Sequence, residues 1–376
     1  LKSIHLQMLG KLLVCWCALV SAAVQSEIID CPLREAPYSV DSPLLDVLLS
    51  EAAVEAVKSE LPGFPDDLPP FLVGTAIPSF AAIISLRSNA RALGFDASSL
   101  ARMDKLLRTV PVTRDDQRAR CARYDNDVPE LGVLTASPAV LVFEKITGFD
   151  HGDSVVAART AIERIAAQQG WSVYTTDRGG VFTAQALANF DAVVWNNVSG
   201  DALTVRQRAA FRDYIESGGS FVGLHATGGD SIYPWQWFAS TLLGARFIGH
   251  PGNPQFQKAT LLTEANAAGI GQGLAPGWAM EEEWYSFAET PRKDSVSVLL
   301  RVDESTYSPV SWDGTDISMG SDHPLAWMRR VGRGKAIYSA VGHRRESYEH
   351  AAYEEFLSQA LSWAMAPNDT KHGNGR

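Results

Sequence analysis

Residues Phe221-Val222-Gly223-Leu224-His225-Ala226-Thr227-Gly228-Gly229-Asp230 decide the fold. An apolar run stops at a histidine, small residues and glycines follow, and an acid closes the stretch. A short apolar run bounded by turn residues reads as a buried strand. In open α/β sheets the residue ending such a strand stands at the carboxyl edge, where ligands bind. The turn resembles the Gly-x-nucleophile-x-Gly elbow, with His225 in the nucleophile position and Thr227 in place of the second glycine. On this stretch alone, a functional histidine and a satisfied strand-end histidine are equally good readings.

Upstream, the same texture repeats. Val140–Phe143, Trp171–Tyr174 and Asp191–Trp195 read as strands. Between them lie a helix from Asp153 through Ala167 that Gly170 ends, a short helix starting at Thr183, and a helix opened by Leu203-Thr204 and closed by Gly218-Gly219. Strands alternating with amphipathic helices predict an α/β fold, a doubly wound parallel sheet. Downstream, strands are expected at Lys258–Leu262, Glu282–Phe287, Val296–Val302, Leu325–Arg329 and Ala336–Ala340, with a last helix from Tyr353 to Trp363.

The domain reading is a signal peptide over 1–23, a small helical region over 24–135, the α/β domain over 136–366 and a flexible tail over 367–376. Lys2, His5 and Lys11 flank the apolar run Leu12–Val20, and Ser21-Ala22-Ala23 offers small residues for cleavage after Ala23. A secreted or periplasmic location follows as an expectation. Cys31 and Cys121 then remain as an even pair in an oxidising compartment, free to form a disulfide. In the helical region Ser42-Pro43 marks a helix start, apolar residues recur at helical spacing to Val57, and Pro62-Gly63 stops the helix. Short helices are expected over Phe80–Ala92 and Ser99–Leu107. This region carries no catalytic constellation, so packing or docking is its default role.

The net charge of −10 and the lack of a Lys/Arg stripe argue against nucleic acid as a partner. No segment after the signal reads as a membrane span.

Polar residues gather at the expected strand ends: Glu144, Lys145 and His151; Asn196 and Asn197; His225 and Asp230; His250; Asp322 and His323; His343. In a parallel sheet these ends share one edge. Residues 139–366 resemble the trehalose-utilisation (ThuA-like) family, within the class I glutamine-amidotransferase-like fold. The segments that carry the resemblance are Val140–Phe143 with Gly148-Phe149-Asp150-His151, Asp191–Trp195, Gly218–Ala226, Gly249-His250-Pro251, Glu282–Phe287, Met319–Trp327 and Gly332–His343.

The resemblance implies a flavodoxin-like sheet with an elbow, and an exported enzyme of carbohydrate catabolism. Its substrate would be a small carbohydrate, a glycoside or a 3-keto sugar derivative, attacked by general acid–base hydrolysis or elimination. Position 225 holds no cysteine, which excludes thiolate-driven glutamine amidotransfer. The expected catalytic residues are His225, Glu283, His250 and His323. Glu281 and Glu283 would share one strand face and Glu282 the other, and family matching selects Glu283 as the pocket acid. His151, Asn196, Asp230, Trp284, Tyr285 and His343 are expected to bind substrate, although the aromatic residues would serve equally in core packing. No cofactor is expected. A divalent metal such as zinc, held by His225, His250, His323 and Glu283, is the minority reading, because the spacing lacks a short-range zinc signature. The same cleft would also suit a non-catalytic carbohydrate-binding protein or a scaffold that docks a partner.

Overall fold

The computed structural model describes residues 27–132, 137–266, 268–292 and 296–367. The signal segment and all but the first residue of the expected tail lie outside the described residues. Four strands follow the expected order: β1 (Ala139–Phe143), β2 (Ser172–Thr176), β3 (Ala192–Asn196) and β4 (Ser220–Leu224). Then come β5 (Phe247–Gly249), β6 (Gln257–Thr263), β7 (Gly277–Glu282), β8 (Ser286–Phe287), β9 (Ser297–Asp303), β10 (Pro324–Val331) and β11 (Gly334–Ser339).

Nine strands form one sheet in the order β2-β1-β3-β4-β11-β10-β9-β6-β7, and β5 pairs with β8 separately. From β2 through β11 every pairing is parallel; from β11 to β7 every pairing is antiparallel. The sheet is therefore mixed, with a doubly wound parallel half and an antiparallel extension. β1, β3 and β4 are buried along their whole length, as expected of strands covered on both faces.

The helices are α1 (Leu44–Leu48), α2 (Glu51–Lys58), α3 (Ala97–Leu107), α4 (Arg114–Cys121), α5 (Asp153–Gln169), α6 (Ala184–Leu187), α7 (Val205–Glu216) and α8 (Ala351–Met365). The crossover from β1 to β2 runs opposite to those from β2 to β3 and from β3 to β4. With right-handed connections, α5 falls on one face and α6 and α7 on the other. The sequence marks both ends of these helices. Thr204 caps α7 in a reciprocal box with Gln207, and Gly170 ends α5 in the left-handed conformation.

The helical region has its own apolar core, built on Tyr38, Leu45, Val57, Phe64, Met103 and Leu107. A disulfide joins Cys31 to Cys121. Two local expectations fail here. The helix expected from Ser42 is two helices, because the Ser50 side chain accepts the Ala53 N–H and starts α2 afresh. The helix expected over Phe80–Ala92 is a single tight turn, Phe80–Ala82. Ser85, Ser88 and Asn89 instead bond each other's side chains and backbone, a pattern that competes with helix formation. Phe80 packs edge-on against Phe149, so this region touches the loop after β1.

Candidate functional site

His225 follows β4 directly and is fully buried. Its φ of 39° lies in the left-handed region, a conformation that costs a non-glycine residue about 1–3 kcal/mol and persists where surroundings enforce it. The enforcement is visible. The Tyr338 hydroxyl donates to the His225 carbonyl at 2.8 Å, and Thr227 Oγ1 donates to the Trp195 carbonyl at 3.0 Å. Gly228 and Gly229 are needed for close approach: a Cβ would stand 2.4 Å from the Tyr338 ring and 2.5 Å from the Tyr285 hydroxyl.

The tautomer of His225 follows from its partners. Nδ1 lies 2.7 Å from the Ala340 carbonyl, which can only accept, so Nδ1 carries the proton. Nε2 therefore presents a lone pair, and the Tyr285 hydroxyl donates to it at 2.9 Å. The Tyr285 ring also stacks on the imidazole, with centroids 4.3 Å apart. Burial, and then the Glu283 charge, push the Tyr285 phenol well above its ordinary range, so it stays a donor.

Glu283 lies just past β7 and is buried. Its two oxygens have separate neighbours. Oε1 accepts from Gln255 and lies 3.2 Å from His250 Nδ1. Oε2 lies 3.0 Å from His343 Nδ1 and 3.5 Å from His225 Nε2. Burial alone would raise this carboxyl; the imidazoles of His225 and His343 against Oε2 and the charge of His250 outweigh it and hold it well below the usual carboxylate range. Burial likewise opposes protonation of His343, but Glu283 reverses the balance and raises it above an ordinary imidazole. His151 is driven well below its ordinary value, by burial first and then by His225 and His343. Its ring packs edge-on against both, at 4.8 and 4.7 Å. Phe149 and Phe256 rim the group, against His151 and His343 respectively.

The remaining expected site residues sit elsewhere. His323 is not in the cluster: Nε2 lies 2.8 Å from the Tyr285 carbonyl and Nδ1 2.7 Å from Glu304, so it braces the Tyr285 backbone from behind. It is also outside any metal-binding group. Among the described residues, His151, His225 and His343 form a group with donors close enough for an ion, their nitrogens within 4.8 Å of one another. Asn196 is buried and donates to Glu144 and to the Val155 carbonyl. Asp230 ties loops together, accepting from Ser199 and from the Gly200 N–H. Trp284 is core, its indole N–H donating to the Gln257 carbonyl.

The expected strand Glu282–Phe287 is broken: β7 ends at Glu282 and β8 begins at Ser286. Alternation therefore does not place Glu283. Glu281 is exposed and pairs with Arg344, whereas Glu282 is buried and accepts from the Gly342 N–H and Ser347, bracing the loop that carries His343. Sequence reading missed Gln255 and the Ala340 carbonyl. A backbone acceptor leaves no trace in the sequence.

A family model described as trehalose utilisation matches residues 139–364. A solved thua-like protein of Bacteroides uniformis superposes with a TM-score of 0.52 at 21% identity, covering 62% of this chain and 94% of that one. A thua-like protein of Parabacteroides merdae gives a TM-score of 0.47 at 16% identity, over 61% and 91%. At such identity the first likeness speaks for the fold alone. No curated protein matches this chain.

Proposed function

The chain belongs to the trehalose-utilisation (ThuA-like) family, and from that premise we propose that it is an exported enzyme of carbohydrate catabolism, acting on a glycoside or a 3-keto sugar derivative by general acid–base chemistry. One observation carries the reading: a buried carboxylate, Glu283, lies within 3.5 Å of three imidazoles, and one of these, His225, is held in a strained elbow with a defined tautomer. Such arrangements separate an acid from a base in one site. In a 3-keto glycoside the carbonyl acidifies the hydrogen on C2. His225, directly or through Tyr285, takes that proton as the C1–C2 double bond forms and the C1–O bond breaks. His343, held protonated by Glu283, returns a proton to the departing oxygen. Phe149 and Phe256 suit the apolar face of a sugar ring. The Cys31–Cys121 disulfide suits an oxidising compartment and so supports export.

The test is turnover of 3-keto glycosides, followed by product analysis. The wild type is expected to turn over, and His225→Ala and Glu283→Gln to lose activity with their circular dichroism intact. Saturable sugar binding without turnover would make the protein a binding protein instead.

A further inference from the structure

We propose that this centre binds one divalent ion of the zinc type, through His225 Nε2, His343 Nδ1 and Glu283 Oε2, with His151 as the next donor in reach. The proposal deepens the reading above and uses the same pocket.

The geometry is that of a ligand face. His225 Nε2 and His343 Nδ1 are 3.3 Å apart, His343 Nδ1 and Glu283 Oε2 are 3.0 Å apart, and Glu283 Oε2 and His225 Nε2 are 3.5 Å apart. An ion with bonds of about 2.0–2.1 Å sets its tetrahedral ligand atoms roughly 3.3 Å apart. The three donors therefore already stand near the required edge lengths. His151 adds a third imidazole to the group, and its buried Nδ1 has no hydrogen-bond partner. Mixed imidazole and carboxylate donors suit zinc and its neighbours rather than calcium or magnesium.

The surrounding bonds are those that orient metal ligands. A ligating imidazole donates its other N–H to a carbonyl or carboxylate, and His225 does so to Ala340. A ligating carboxylate is itself anchored. Gln255 and His250 hold Oε1 and leave Oε2 to the centre. His343 and His250 are part-exposed, which gives an ion a way in. With an ion on its lone pair, His225 becomes a ligand. His343 likewise becomes a ligand and gives up its role as acid. An ion-bound hydroxide, formed by loss of a proton to solvent, then supplies the base, and the water it becomes on accepting the substrate's proton returns that proton to the departing oxygen.

The experiment treats the purified chain with a chelator, removes the chelator, and titrates with Zn²⁺ by calorimetry and with Co²⁺ by visible absorption. One ion per chain is expected, with the visible bands of a four-coordinate cobalt centre. Glu283→Gln and His343→Ala should abolish stoichiometric binding. His250→Ala, which only frees Oε1, should weaken it by about 10–100-fold, and His350→Ala, outside the centre, should leave it unchanged. Circular dichroism checks folding, and the isosteric Glu283→Gln keeps the test decisive should His343→Ala misfold. No stoichiometric binding by the wild type, or binding that survives Glu283→Gln, overturns the proposal. Ion binding without sugar turnover upholds the site and removes the carbohydrate reading. Turnover that persists after chelation, with no bound ion, does the reverse.

Discussion

The two halves of the sheet supply the centre in different ways. The parallel half ends its strands at one edge, so His225 after β4 and the His151 loop after β1 arrive by topology. The antiparallel half, together with the separate β5–β8 pair, brings Glu283 and Tyr285 from the break between β7 and β8, and His250 from the end of β5. The first half fixes an imidazole in a strained turn. The second encloses it with a phenol and a carboxylate. The difference teaches that the doubly wound topology positions the elbow, while the chemistry around it depends on irregular backbone in the extension.

The largest expected effect comes from removing the parallel half's contribution. His225→Ala should lower turnover by about 10²–10⁴-fold. It leaves the Ala340 carbonyl unpaired, so stability should fall by only about 1–3 kcal/mol. Steady-state kinetics and thermal melts check both parts; a collapse of stability with activity per folded molecule intact would make His225 a core residue.

Next in size is the tie beside the sheet. Reducing Cys31–Cys121 should cost about 2–4 kcal/mol at most, read as a lower denaturant midpoint, while the activity of the folded protein stays unchanged. Loss of activity before unfolding would bring the helical region into the site.

Asn196→Ala sharpens the contrast within the parallel half. Asn196 bonds Glu144 and the Val155 carbonyl rather than the centre, so stability should drop by about 1–3 kcal/mol with kcat preserved. A kcat loss matching that of His225→Ala would move it into the site.

The smallest effect is a slope. Burial, helped by Asp201 and opposed by Gly200 and Ser199, raises the Asp230 carboxyl to about 7. The folded protein keeps a proton that the unfolded chain releases near its ordinary value of 3.8. That contribution is complete below about pH 4 and is lost as pH rises through about 7. Asp230→Asn should therefore gain on the wild type as pH rises from 4 to 7, in denaturation curves taken across that window. A constant difference between the two proteins would contradict the raised carboxyl.

Legibility in the sequence divides along the same line. Apolar runs ending in a polar residue gave β1, β3 and β4 their places, and with them His151, Asn196 and His225, because strand and edge are local properties. Only family matching singles Glu283 out from its neighbouring glutamates, and Tyr285 stands out only as an aromatic residue equally suited to core packing. The run Glu282–Phe287 is buried without a break, so it carries no period to read. His250 and His323 look alike, each a histidine before proline. Only tertiary packing sends the first to Glu283 and the second to Glu304. The helices of the first region misled where serine side chains bond their own backbone, at Ser50 and Ser85.

The most direct test of the two halves acting as one unit is a double-mutant cycle on kcat/KM with His225→Ala and Glu283→Gln. Groups that share one catalytic step are strongly non-additive. The double variant should therefore be about as active as His225→Ala alone. Two losses that multiply independently would mean that the imidazole and the carboxylate serve separate purposes, and the joint centre would be refuted.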